Sequence, residues 1–335
     1  MSLHLFRIFV DERPDLVRRA DTARKLLDRV EAFIADESGE WEVVYLAIVL
    51  ADHMTKSFLG LVVGSTDLWK LMIQALIHEH GWVRLASCRM LSAHLLSLDS
   101  QNLTKEATFF NEVPGSLHHV ARNLCVLVGS DDISEELTPL VVKSLTWLLP
   151  AMQRHPKLCF ETMSEANDGR DPAYWVLTRL ANIAKSKGTR RASVFKCFAA
   201  FANFCPDIAS KYLELMLEPL NRVEREVKNK EMSSTFATTN NTSDETQLVR
   251  DVLQLLEEQC DSDEFLRALA AVKKRALEKN EQRRLQTKTE AVTDPESFSR
   301  KRMEKQDRER KRRKRRVEEQ RSNRGARAKR NRHES

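Results

Sequence analysis

Residues 65–98 read Ser65-Thr-Asp-Leu-Trp-Lys-Leu-Met-Ile-Gln-Ala-Leu-Ile-His-Glu-His80-Gly-Trp-Val-Arg-Leu-Ala-Ser-Cys-Arg-Met-Leu-Ser-Ala-His-Leu-Leu-Ser-Leu98. This is one helical pattern, a short break, and a second helical pattern. Leu68, Leu71, Met72, Ala75 and Leu76 recur at i, i+3, i+4, i+7 and i+8, the spacing of one helix face. Ser65-Thr66-Asp67 supplies the small polar residues that open such a helix. Past His80-Gly81 a second helix places Cys88, Leu91, Leu95 and Leu98 on one side. Neither helix is thick enough to bury its own apolar face, so each must pack on the other and the pair must pack on a neighbour.

The same grammar recurs on both sides. Leu117–Val128 pairs with Glu135–Leu149, and Trp175–Ala184 pairs with Val194–Phe204. In the latter pair Leu177, Leu180, Ala181 and Ala184 face Phe195, Phe198, Ala199 and Ala202. Pro206 begins a further helix carrying Leu213, Leu217 and Leu220. No strand alternation interrupts the series. Hairpins repeating every forty residues or so mark an all-α chain built as an α-solenoid of the HEAT or armadillo kind. An unrelated helical bundle is the competing architecture.

Residues 228–246 break the pattern. Met232-Ser-Ser-Thr-Phe-Ala-Thr-Thr-Asn-Asn-Thr-Ser243 has no period and little but polar side chains, the composition of a disordered linker. Beyond it Leu248, Val252, Leu255 and Leu256 form one stripe, and Phe265, Leu269, Val272 and Ala276 form another, with Asp261 or Ser262 as the cap between. The chain therefore divides into a repeat region over 1–227, a linker over 228–246, a terminal helical pair over 247–289 and a basic tail over 290–335.

Charge separates the tail from the rest. From Lys273 onward there are 25 Lys and Arg against 11 Asp and Glu, a net of +14; the chain carries only +6, leaving −8 for residues 1–272. Arg310 to Arg316 is an unbroken cationic run. Thr293-Asp294-Pro295-Glu296 is a helix start, with Asp294 as N-cap and Pro295 at the first helical position. From there to about Arg321 the residues are good helix formers charged on every face, so the tail is either a single helix or largely disordered until it meets a partner. A cationic arm favours a polyanion, because neutralised phosphates release condensed counterions. The candidate contact residues are Lys301, Arg302, Arg308, Arg310, Lys311, Arg312, Arg313, Lys314, Arg315 and Arg316, acting on RNA or as a nuclear-localisation signal.

Other chemistry is sparse. No phosphate-cradling glycine loop, zinc-protease helix or nucleophile elbow is present. His78 and His80 lie two apart and His118-His119 are adjacent, neither at ligand spacing. Cys88, Cys125, Cys159, Cys197, Cys205 and Cys260 contain no CxxC pair and read as small core residues. Arg190-Arg191-Ala-Ser193 resembles a basic kinase site, although Ser193 is better placed to cap a helix. Val43–Val63 is apolar but carries Asp52, His53 and Lys56, which fits buried helices and not a membrane span. The expectation is a non-enzyme with no cofactor, metal or small-molecule substrate.

Leu248-Val-Arg-Asp-Val-Leu-Gln-Leu-Leu-Glu-Glu-Gln259, Glu264-Phe-Leu-Arg-Ala268, Val272-Lys-Lys-Arg and Glu290-Ala-Val-Thr-Asp-Pro-Glu296, followed by the basic run, resemble the C-terminus of the small-subunit processome component 20 family. His80-Gly-Trp-Val-Arg-Leu-Ala-Ser-Cys-Arg-Met-Leu91, Ala121-Arg-Asn-Leu-Cys125, Trp175-Val-Leu-Thr-Arg-Leu180, Val194-Phe-Lys-Cys-Phe-Ala-Ala200 and Leu217-Glu-Pro-Leu-Asn-Arg222 are similar too, so the likeness spans about 75 to 316. The resemblance implies a HEAT-repeat scaffold of the nucleus and nucleolus, acting in 18S pre-rRNA processing. The partners it implies are pre-ribosomal RNA, processome proteins and the U3 small nucleolar ribonucleoprotein, with no membrane. Family members are many times longer, so the chain is expected to be a fragment or a shortened relative. The alternative function is a protein-binding HEAT or armadillo adaptor whose tail serves nuclear import alone.

Overall fold

The computed structural model describes residues 20–36, 40–99, 103, 109–130, 133–160, 171–186, 189–233 and 241–333, and side chains within them except at 20, 189, 228–243 and 316–333. All regular structure among the described residues is helical: α1 (Ala20–Ala35), α2 (Trp41–Ser57), α3 (Leu59–Val63), α4 (Thr66–Ala75), α5 (Gly81–Ser97), α6 (Phe109–Glu112), α7 (Ser116–Val128) and α8 (Leu137–Arg154) come first. After a 3-10 turn at Pro156–Cys159 follow α9 (Pro172–Ile183), α10 (Thr189–Phe204), α11 (Pro206–Lys211), α12 (Leu213–Ser233), α13 (Asn241–Gln259), α14 (Ser262–Thr293) and α15 (Pro295–His333). The chain divides into two compact units, Met1–Val272 and Lys273–Ser335.

In the first unit the long helices stand in two rows. α1, α4, α7, α9 and α12 form one, each packed on the next; α2, α5, α8, α10 and α13 form the other. Each helix of the first row also packs on the second-row helix that follows it. Five hairpins thus stack side by side, the arrangement of a HEAT-like solenoid. The expected partners α4 with α5, α7 with α8 and α9 with α10 are the ones that meet.

Stacking explains why several helices are buried beyond the stripe their spacing marks. In α5 not only Cys88, Leu91 and Leu95 are buried but also Val83, Leu85, Ala86 and Met90, because α2, α4 and α8 cover it on three sides. Burying that many apolar side chains, each worth roughly 1.5–3 kcal/mol, is the main force holding neighbouring hairpins together. Polar groups inside are matched to backbone. Ser87 Oγ donates to Met72 O at 2.6 Å within a hairpin, and Asn123 Nδ2 donates to Ile73 O at 2.8 Å between two first-row helices. Ser65 caps α4, accepting from Leu68 N at 3.3 Å. Gly115, at φ 73°, makes the left-handed turn that opens α7.

Three expectations need correction. Leu149 does not end the helix expected over 135–149: α8 runs through Pro150 to Arg154, and Ala151 and Met152 beyond it are fully buried, so packing offsets the roughly 3 kcal/mol proline penalty. Ser193 is no cap; it lies inside α10, 5 % exposed, with its hydroxyl 3.4 Å from that of Thr138, closed to a kinase. The single helix from Pro206 is two, α11 and α12, parted at Tyr212. Within the expected linker, 228–246, helix is described up to Ser233 and again from Asn241, while residues 234–240 lie outside the described residues; α13 packs on α12 and α10. The stripe Val249, Val252 and Leu256 is spent on that contact, which makes α12 and α13 the fifth hairpin.

All six cysteines are buried and free. Loss of solvation raises their thiols, to about 12 for Cys88, Cys125 and Cys159 and to about 11 for Cys205. Titration of the native chain with an aromatic disulfide reagent at pH 8 is therefore expected to label almost no thiol within minutes, and six after denaturation. Rapid labelling of two or more under native conditions would contradict this packing.

Candidate nucleic-acid interface

The second unit begins inside α14, whose buried residues Phe265, Ala268 and Val272 all precede it. Past Val272 the helix has no apolar face to bury, and Leu277 and Leu285 are 64 % and 58 % exposed. The helix stops where Asp294 meets Pro295. A residue before proline is pushed out of the α region, and proline offers no N–H to continue the ladder. Asp294 resolves the break by accepting from Ser297 N through Oδ1 at 3.0 Å, so α15 starts with Pro295 at its first position, as the sequence pattern predicts. In the same way Asp261, and not Ser262, caps α14, accepting from Asp263 N at 3.0 Å and Glu264 N at 3.1 Å.

α15 then runs without interruption to His333, twelve residues past the expected end near Arg321, because no proline follows and most of its residues have high helix propensity. Its described side chains from Lys301 to Arg315 are exposed without exception. Lys301, Arg302, Arg308, Arg310, Lys311, Arg312, Arg313, Lys314 and Arg315 all stand on this helix in solvent; the side chain of Arg316 lies outside the described residues. Lys305 joins them, although the sequence reading passed over it in favour of the denser run that follows. Its i+4 relation to Lys301 was the signal. Two ion pairs tie the segment locally: Arg308 Nη2 donates to Glu304 Oε2 at 3.3 Å, and Lys301 Nζ reaches back to Glu290 Oε1. Pairs this exposed add at most a few tenths of a kcal/mol, too little to hold the cations back from a stronger anion.

A family model described as the C-terminal part of small subunit processome component 20 homologues matches residues 61–319, from α3 into the basic helix. The chain belongs to that family. A comparison with curated proteins gave no match. Membership makes the chain a component of the small-subunit processome and places it in ribosome biogenesis, within a family of structural and not enzymatic proteins.

The remaining geometry offers no competing centre among the described residues. No three His, Cys, Asp or Glu side chains converge to hold a metal. His78 Nδ1 accepts from His80 N at 2.9 Å, and His80 accepts from Trp82 N at 3.4 Å while its ring stacks 3.5 Å from that of Trp41. Both histidines are thus occupied in closing the α4–α5 turn. The cleft between α12 and α13 is lined by Val223, Val227, Val249 and Leu253, with Glu224, Thr246 and Arg250 beside them. Among the described residues no helix is long and apolar enough to cross a membrane.

Proposed function

We propose that this chain is a non-catalytic scaffold for 18S pre-rRNA processing in the nucleolus. Its stacked hairpins dock processome proteins, the U3 small nucleolar ribonucleoprotein among its neighbours, and its basic helix binds pre-ribosomal RNA. The observation that carries the RNA part is α15 itself: a capped helix on which every described cation from Lys301 to Arg315 faces solvent. Such a helix has no core to build, and arginine-rich segments suit irregular RNA because guanidinium groups pair bidentately with phosphates and stack on unpaired bases. The two-row stack supports the docking part, since stacked helical repeats present extended surfaces to partners.

Removal of residues 290–335 tests this reading. The full chain is expected to bind a pre-rRNA fragment with an affinity that falls about 10³- to 10⁵-fold between 50 and 200 mM salt if roughly 6–10 phosphates are neutralised. The shortened chain is expected to lose that binding. In cells, a grafted import signal on the shortened chain should restore its location and leave rRNA processing defective. Unchanged RNA binding after the deletion overturns the reading, and full rescue by the graft supports a tail used for import alone.

A further inference from the structure

α15 carries its cations in an order that the bare count conceals. Lys301, Lys305, Arg308, Arg312 and Arg315 are spaced i, i+4, i+7, i+11 and i+14. On a continuous helix those five fall within about 80° of the circumference and extend about 21 Å along the axis, one cation per turn. The acids are set to either side of the row: Glu304 borders it on one flank and Glu309 on the other, and the next residue in register after Arg315 is Glu319. Arg310, Arg313 and Lys314 project from the opposite side. Lys301 and Arg308 each lean on a carboxylate, whereas Lys305 and Arg312 have no carboxylate partner among the described residues. Like charges one turn apart repel, so a straight row of them is held at a cost that a matching line of negative charge removes.

We propose that this row is the phosphate-contacting face of the arm: it tracks the backbone of one RNA strand while the side bearing Arg310, Arg313 and Lys314 stays turned to solvent. The proposal rests on the RNA-binding reading of α15 and adds the face, the register and the ligand geometry. It assigns Lys305 a contact, and it demotes part of the Arg310–Arg316 run to a supporting field. Contacts of this kind are made to phosphate oxygens and read no bases, so binding tolerates changes in RNA sequence.

Two triple variants of equal charge separate the faces. K305Q/R312Q/R315Q strips the row, and R310Q/R313Q/K314Q strips the opposite side; glutamine keeps helix propensity in both. Binding of the full-length chains to a 20-nucleotide RNA is followed by fluorescence anisotropy across a salt series, with helix content checked by circular dichroism. Loss of three phosphate contacts is expected to flatten the plot of log affinity against log salt by about 2 for the row variant. The opposite-face variant should keep nearly the full slope. Equal losses in the two variants overturn the row while leaving RNA binding by the arm intact. No loss in either, together with unchanged binding after deletion of 290–335, sinks the underlying reading as well.

Discussion

Removing Glu226 and Glu245 together, as E226A/E245A, is expected to destabilise the helical stack by about 3–5 kcal/mol, more than removing the arginine between them. Arg191 is 1 % exposed, at the place where three helices of the last two hairpins meet. Its Nε donates to Ser186 O at 2.8 Å and Ala184 O at 3.2 Å, closing the end of α9. Its Nη1 donates to Glu226 Oε2 of α12 at 3.3 Å and to Glu245 Oε1 of α13 at 3.4 Å. The partners are unequal. Side-chain exposure is 2 % for Arg191 but 29 % and 31 % for the two glutamates. Without Arg191 the carboxylates can turn to water, whereas without the carboxylates a guanidinium stays buried and uncompensated, and an unpaired buried charge is the costly case. R191M keeps an apolar stem of similar length in the site and is expected to cost about 1–2 kcal/mol, chiefly the carbonyl hydrogen bonds it abandons. Urea unfolding of the two variants gives the order directly. A smaller loss in E226A/E245A than in R191M would mean that packing, and not charge compensation, joins α12 and α13 to the stack.

That site also shows what the chain's pattern could and could not reveal. Periodicity marks the contact a helix makes within its own hairpin: Leu68 and Met72 on α4 with Leu76 just past its end, or Leu177 and Leu180 on α9, are where spacing puts them, and all are buried. It is blind to the contacts between hairpins, because those engage the remaining faces with no period of their own. Val83, Leu85 and Met90 on α5 were missed for that reason. So was Arg191, whose partners lie 35 and 54 residues away in sequence. A polar run reads as a linker when only burial is scored, yet the lysines and glutamates before Ser233 sustain helix by propensity. Local chemistry fares better. Asp294-Pro295 needs no distant partner to start a helix, and the start is found at that step. Within the arm, the dense run 310–316 is obvious to the eye, while the row through Lys305 emerges only once the helix is continuous from Pro295.

Lowering the pH from 7 to 4 is expected to remove about 3 kcal/mol of stability through His94 alone. The side chain sits on α5, 7 % exposed, stacked 4.0 Å from the Trp69 ring and 6.2 Å from that of Phe110. Burial among these rings disfavours the imidazolium and lowers the group from 6.5 to about 4. The sign follows from proton binding. Between pH 6.5 and 4 the unfolded chain takes up a proton at this position and the folded chain does not, so stability falls with falling pH across that window and levels off below it. The slope is about 1.4 kcal/mol per pH unit inside the window. Replacing His94 with leucine or with glutamine shifts overall stability differently, yet either change should erase the same pH-dependent component. The difference between native and variant urea midpoints, followed from pH 7 to 4, isolates it from other ionisable groups. Should His94 titrate near 6.5 by NMR, or the two profiles run parallel, the ring is reached by water and the α4–α5 core is looser than its packing states.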